Sequence, residues 1–364
     1  MLSNSELYRI WRERLSQLAP DRCQTRLTNM LWLVVGMYKA RSVHLSLIAR
    51  QLPIRAKKLS LVRRLRRFLD NSAVRVREWY NPVATELLRA ASVGGQVHLL
   101  LDATKVGAGH RLVMIAIAYQ RRALPLGWTW VRSSRGHSTV GKQLALLRWV
   151  QGVVGEGIHV SVVGDSEFGH VHLMRQLDAW GWDYALRQRG RIRFMPYRST
   201  RSTRFDQHKV LPGTKVWMGR VDLTRRHAYV TNVMIYWARG QDEPWYLATN
   251  LPGPHGAIQL YRRRMWIEEM FGDMKRHGFD LEASRLGHFL RLSRLTLAVC
   301  LLYLWLVALG EHVLSRDLAH LVDRTDRRDL SVFRLGWDFI ERRLALDDPI
   351  PTISGPNFCS VSGG

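Results

Sequence analysis

Two aspartates stand where the surrounding residues give them little reason to be. Asp102 follows Leu99, Leu100 and Leu101 and precedes Ala103 in the run HLLLDATKV, so a charge interrupts what otherwise reads as a buried strand. Asp165 does the same at the end of VSVVG in HVSVVGDSEFG, a near-continuous apolar run of the kind buried on both faces. An unpaired buried carboxylate is costly, so each needs a partner, and a metal ion is the most economical one. Taken singly, either is explained as well by a strand-end aspartate capping the next turn. Glu167 would share a face with Asp165 if the strand ran on, which makes it a possible supporting acid.

A third carboxylate comes from the stretch YRRRMWIEEMFGDMK, Tyr261 to Lys275. No proline or glycine interrupts Tyr261 to Phe271, and Ile267, Met270, Phe271 and Met274 recur at helical spacing, which predicts one helix from about His255 to about Lys275. At about 100° per residue, Tyr261, Arg264, Glu268 and Lys275 fall in one stripe about 60° wide beside the apolar face. Glu269 and Asp273 point elsewhere, so the periodicity selects Glu268. A surface helix with ordinary i, i+4 ion pairs, Arg264 with Glu268 among them, would carry the same pattern.

Three carboxylates without a histidine pair or cysteine cluster offer oxygen-only ligation, which suits Mg²⁺ or Mn²⁺ and not zinc. Two such ions about 3.5–4 Å apart activate a water or a 3′-hydroxyl and stabilise the leaving oxygen of a phosphodiester, the arrangement for in-line phosphoryl transfer. The overall charge is consistent with a polyanionic substrate. Among 364 residues, 55 Lys and Arg oppose 30 Asp and Glu, a net charge of +25. Such a field attracts nucleic acid, with acidic membrane surfaces as the rival; no basic amphipathic anchor or lipidation motif appears. Cys23, Cys300 and Cys359 are too scattered for a disulfide framework or a zinc site, and point to a reducing, cytoplasmic setting. The apolar run Leu295 to Leu309 is fifteen residues, short of the roughly 20 that span a bilayer, and reads as a buried core helix.

The elements that must position these groups follow from the patterning. Residues 1 to about 92 read as all-helical, with Asn4 or Ser5 as a first cap. Between Arg55 and Arg67 lie seven basic residues and no acid. Leu59, Val62, Leu65, Phe68 and Leu69 keep an apolar face, so Lys57, Lys58, Arg63, Arg64, Arg66 and Arg67 are set outward. This basic helix fits the second element of a helix-turn-helix touching DNA mostly at phosphates, or else a solvated charged face. Strands are expected at His98–Val106, His110–Gln120 and Leu124–Ser133, joined by short turns. The Gly107-Ala108-Gly109 turn reads as a hairpin rather than a phosphate cradle. A helix (Thr139–Val154), a strand (His159–Gly169), a helix (His170–Trp180) and a strand (Asp183–Phe194) follow, which gives a mixed α/β layer. Residues 196 to about 251 are β-rich, with strands at Thr214–Asp222, Ala228–Ala238 and Pro244–Leu251. After the 255–275 helix the apolar helix at Leu295 packs against it. A charged helical region and a tail of disordered composition close the chain.

With these residues together, the sequence resembles the DDE transposases of bacterial insertion sequences, in the group defined by a YREK signature. Asp102 in HLLLDATKV, Asp165 in VVGDSEFG, and Tyr261-x2-Arg264-x3-Glu268-x6-Lys275 match that family over roughly residues 30 to 340. The resemblance implies an RNase H-like mixed sheet with flanking helices, interrupted by a β-rich insertion between the second Asp and the Glu. Here 103 positions separate them (268 − 165), enough for the insertion. It implies an N-terminal helical DNA-binding domain (1–92), a catalytic core in two parts (95–195 and 253–315), the insertion (196–252), and a helical C-terminal region with its tail (316–364). It makes Asp102, Asp165 and Glu268 the ligands of two Mg²⁺ ions, for which Mn²⁺ can substitute. Tyr261, Arg264 and Lys275 would contact DNA phosphates. WYLAT places Trp245 where relatives stack a tryptophan on a flipped base; a core tryptophan is the alternative. The implied partners are double-stranded DNA, as transposon ends and target, and a second copy of the chain on that DNA, with no membrane and no small-molecule substrate. A catalytically inactive DNA-binding regulator and a plain metal-dependent nuclease remain alternatives, separated by a cleavage and joining assay.

Overall fold

The computed structural model describes residues 2–18, 23–107, 109–132, 136–224, 228–353 and 355–356. Ala108, Ser133, Cys359 and most of the tail lie outside the described residues.

Five helices open the chain: α1 (Leu2–Leu18), α2 (Gln24–Ala40), α3 (Leu45–Gln51), α4 (Lys58–Asp70) and α5 (Val76–Ser92). Because α1 starts ahead of Asn4 and Ser5, neither caps it. The apolar face of α4 is Leu61, Leu65, Phe68 and Leu69, the i, i+4, i+7, i+8 set. Leu59 lies about 160° round the helix from Leu61 and is exposed, so the buried stripe is rotated from the one expected of Leu59 and Val62.

The meander β1 (Gln96–Val106), β2 (His110–Tyr119) and β3 (Arg122–Arg132) comes next. The second hairpin turns on only Gln120 and Arg121, with φ of 42° and 62°, the left-handed pair that suits a two-residue hairpin loop. Then α6 (Val140–Gln151), β4 (His159–Gly164), α7 (Val171–Ala179) and β5 (Asp183–Arg187) add two strands parallel to β1, each reached through a helix. The strand expected to run from Asp183 to Phe194 is two strands. The chain leaves the ladder before Gly190, whose bare backbone packs on Asp206 and Tyr246, and resumes as β6 (Arg193–Met195), next to last on the far side of the sheet.

The β-rich stretch supplies β7 (Thr203–Arg204), β8 (Lys215–Leu223), β9 (Tyr229–Tyr236) and β10 (Trp245–Thr249). These strands extend the same sheet, in the order β3-β2-β1-β4-β5-β10-β9-β8-β6-β7. The result is the mixed sheet with flanking helices expected of an RNase H-like layer, lengthened on one side.

The helix expected from about 255 to 275 is broken. α8 (Pro254–Arg262) and α9 (Met265–Met274) meet at a corner tightened to i→i+3 bonds, with Arg264 N–H donating to Tyr261 C=O (3.0 Å) and Trp266 N–H to Arg263 C=O (3.0 Å). The corner lets α8 lie on β4 and β5 while α9 lies on β1, β2 and β3. A common helical angle for Tyr261 and Glu268 therefore does not hold.

α10 (Phe289–Ser315) is 27 residues long, well beyond the apolar run that marks it. By length and composition alone it could cross a membrane, yet 94% of its most apolar window is buried inside the protein. It packs chiefly on β3, α2, α4, α5 and α11 (Val332–Ala345), not on the 254–274 helices. Arg294 on α10 donates to the carbonyls of Val74 (2.9 Å) and Leu69 (2.8 Å), which fastens the end of α4 to the core. A single apolar cluster runs from Leu7 to Ile350, so the opening helices share the core of the sheet.

Candidate active site

The two aspartates are brought together by strand register. β1 and β4 are parallel, with Leu101 opposite Gly164, so Asp102, still within β1, lies level with Asp165, the first residue beyond the end of β4. The strand ends there. Phe168 N–H bonds back to Asp165 C=O (2.8 Å), and a Cβ on Gly164 would lie 2.8 Å from the Phe168 Cβ, so the tight turn after Asp165 needs the glycine. Because β4 does not run on, Glu167 does not share the face of Asp165. It is buried and accepts from Ser138 N–H (2.6 Å), the Ser138 hydroxyl (2.5 Å) and Arg111 (2.5 Å). Arg111 also reaches Ala103 C=O (3.5 Å), so this pair braces the backbone next to Asp102 and the turn after Asp165. Nothing in the sequence pairs Arg111 with Glu167, 56 positions away.

Glu268 stands in the first turn of α9 and is half-exposed; Glu269 faces away, toward Arg122 (3.4 Å). Arg264, at the corner, joins the site together. It is buried, and its Nη1 contacts Glu268 Oε1 at 2.6 Å and Asp102 Oδ2 at 3.3 Å. Asp102 Oδ1 accepts from the N–H of Ala103 (2.7 Å). Burial pushes the Asp102 carboxyl up to about 7; Arg264 and the Ala103 N–H oppose that, while Asp165 and Glu268 add to it. For Arg264, burial works to lower the pKa but Tyr261 and the three carboxylates together raise it, so the guanidinium stays charged.

Tyr261 is buried at the end of α8, with Trp245 edge-on to its ring at 5.0 Å. Among the described residues its hydroxyl has no hydrogen-bond partner, and burial pushes its pKa up to about 12. Trp245 is half-buried on β10 and also meets Tyr236 at 5.6 Å. Lys275, just beyond α9, pairs with Glu282 (3.0 Å). The structure thus gathers Asp102, Asp165, Arg264, Glu268, Tyr261 and Trp245 at one end of the central strands.

A family model described as a transposase DDE domain matches residues 94–305, more than half of the chain and all of this site. The chain belongs to that family. No curated protein matches this transposase. A chain in the cryo-EM structure of a piggyBac transposase synaptic complex with hairpin DNA is similar at a TM-score of 0.43 and 10% identity, over 96% of this chain and 80% of its own.

DDE transposases as a family use divalent metal ions, and the donor set here fits one by its chemistry. Asp102, Asp165 and Glu268 offer oxygen donors only, and the buried Asp102 carries a raised pKa that a cation would relieve. A buried hydroxyl without a partner, that of Tyr261, stands nearby. Among the described residues no three acidic, histidine or cysteine side chains form a ready-made ligand cluster. Arg264 contacts two of the three carboxylates, those of Asp102 and Glu268.

Of the six basic residues expected to face DNA from the opening helices, Lys57, Lys58, Arg63, Arg66 and Arg67 are exposed on or beside α4. Arg64 is not free. It donates to Asn29 Oδ1 (2.9 Å), and its guanidinium lies 4.1 Å from the centre of the Trp32 ring. It fastens α4 to α2, a role that its place in the run RRLRR does not reveal.

Proposed function

We propose that this chain is a transposase that binds the terminal inverted repeats of its own element, hydrolyses one strand at each end, and joins the freed 3′-hydroxyl to target DNA. The observation that carries this reading is the register that sets Asp102 and Asp165 level on adjacent strands, with Glu268 linked to Asp102 through Arg264. Asp102, Asp165 and Glu268 would hold two Mg²⁺ ions, or Mn²⁺ in their place. Such ions supply a Lewis acid for the phosphoryl oxygens and lower the pKa of the attacking water. In the first step the water oxygen bonds to phosphorus and the P–O3′ bond breaks, with the 3′-oxygen taking a proton. In the second that 3′-oxygen attacks a target phosphodiester, and the target's own 3′-oxygen leaves.

The protein's groups divide the remaining work. Arg264, turned from the carboxylates, makes a charge-assisted contact to a phosphate at the transposon end. The unpartnered Tyr261 hydroxyl donates to the same phosphate, and Lys275 reaches the backbone further along. Trp245, stacked edge-on against Tyr261, takes an extruded base, which would place it beside the cut. The exposed cations Lys57, Lys58, Arg63, Arg66 and Arg67 hold the duplex through its phosphates, and two copies of the chain bring two ends together. The intact YREK spacing is what favours the YREK group within the family. In the test, Glu268→Gln binds an element-end duplex as the wild type does but no longer cleaves it in Mg²⁺; undiminished cleavage overturns the assignment.

A further inference from the structure

We infer that the outer edge of the β-rich stretch carries a second DNA-binding surface, centred on Tyr197, Arg198 and Arg220, which takes an unpaired strand. The inference rests on the proposed action on DNA and names a contact far from the carboxylates. Between Arg189 and Arg220 the chain holds nine Lys and Arg against one acid, Asp206, which Arg204 neutralises. Tyr197 follows β6, the strand next to the edge strand β7, and is 59% exposed. Two guanidinium carbons lie over its ring, that of Arg198 at 5.2 Å from the centroid and that of Arg220 at 5.3 Å. Both arginines are exposed, and among the described residues no carboxylate pairs with either.

The backbone is shaped to make this arrangement. Arg198 and Arg220 both have left-handed φ, 62° and 52°, a conformation that a long side chain adopts at a cost. Arg220 sits in a bulge where the β8–β9 register shifts between Met218 and Val221, and its N–H is fastened to Asn232 Oδ1 at 3.0 Å. Bulges re-aim side chains, and this one, after the small Gly219, aims Arg220 at the tyrosine. An exposed ring with two unneutralised cations suits a ligand that offers both flat faces and phosphates, which is a single strand of nucleic acid.

Topology sets the distance. β6 lies five strands from β4 and runs in the same direction through the intervening pairings. At about 4.8 Å per strand the surface is roughly 24 Å across the sheet from Asp165, about seven nucleotides of duplex at 3.4 Å each. A strand melted or left overhanging at that distance from the cut would reach it.

The test uses the full chain and two fluorescein-labelled probes, a (dT)20 oligonucleotide and a 20-base-pair duplex, followed by anisotropy across a salt series. Tyr197→Ala changes no charge. It is expected to weaken (dT)20 binding about tenfold, with an unchanged salt slope, and to leave duplex binding alone. Arg198→Ala with Arg220→Ala is expected to reduce the (dT)20 salt slope by about 1.4. Unchanged (dT)20 affinity in both variants overturns the surface, and an equal loss on both probes overturns its preference for an unpaired strand. All three side chains are exposed, so a melting temperature equal to wild type confirms that each variant is folded. Metal-dependent cleavage, assayed separately, tells the two readings apart: normal binding losses without any cleavage by the wild type count against the catalytic reading alone.

Discussion

Asp102 is the residue in which the tension of the site is stored. Its carboxyl sits at about 7, and so does that of Asp273, which is buried beside Arg122 on the far side of α9. Both pKa values are raised above the unfolded range near 4, so between these limits the folded chain holds protons that the unfolded chain has released. The metal-free protein should therefore lose stability as pH rises from about 4 to about 7 and level off above. Thermal melts in a chelator check this, and Asp102→Asn should flatten part of the slope; a slope the variant leaves unchanged would contradict it. Arg264 is the second such residue. If its guanidinium holds the place a metal needs, Arg264→Gln should bind Mn²⁺ in the absence of DNA about tenfold more tightly than wild type, since a charge-assisted pair no longer competes. Equal or weaker Mn²⁺ binding, read by electron paramagnetic resonance, would mean that Arg264 supports the carboxylates rather than blocking them. Asp102 and Asp165 were legible because a charge in an apolar strand is conspicuous. The bridging role of Arg264 was not, because the helical projection places it beside Glu268 and says nothing of a strand 162 residues earlier.

At the scale of elements, patterning located all the major strands, and it failed where the chain changes direction without proline or a turn motif. The corner between α8 and α9 falls within Arg262, Arg263 and Arg264, three good helix formers. Tertiary packing of one helix on β4 and β5 and the other on β1 to β3 overrides their propensity. The run in α4 shows the same limit. Its charge was evident, but which of its arginines faces inward depends on Asn29 and Trp32 of α2. Arg63→Ala with Arg67→Ala should therefore lower duplex affinity and reduce the salt slope by about 1.8, with little change in melting temperature. Arg64→Ala should do the reverse, lowering the melting temperature with a smaller effect on the slope. Identical behaviour of the two variants would contradict the division. The crossing of α10 and α11 depends on two glycines. A Cβ on Gly336 would lie 1.9 Å from Leu306 C=O, and one on Gly310 would lie 1.7 Å from Val332 C=O. Because these contacts are to backbone, Gly336→Ala should cost about 1–3 kcal/mol in a denaturant titration, and a cost near zero would mean that the helices separate freely.

For the whole molecule, the sheet is a platform with the carboxylates near its middle, basic helices at one end of the chain and a basic edge at the far side of the β-rich stretch. That edge is not legible in the sequence because the nine cations from Arg189 to Arg220 are spread over 32 positions and several strands, without a run to mark them. A net charge of +25 is thus spread over several surfaces of the molecule. The account stands or falls on the carboxylates. The direct test is a single-turnover assay on a duplex carrying an end of the element, comparing wild type with Asp165→Asn in Mg²⁺. The account predicts that the wild type releases a 3′-hydroxyl at the end and joins it to added target DNA, while Asp165→Asn binds the duplex and does neither. Cleavage that survives Asp165→Asn, or a wild type that binds the end and leaves it intact in Mg²⁺ and Mn²⁺ alike, would contradict it.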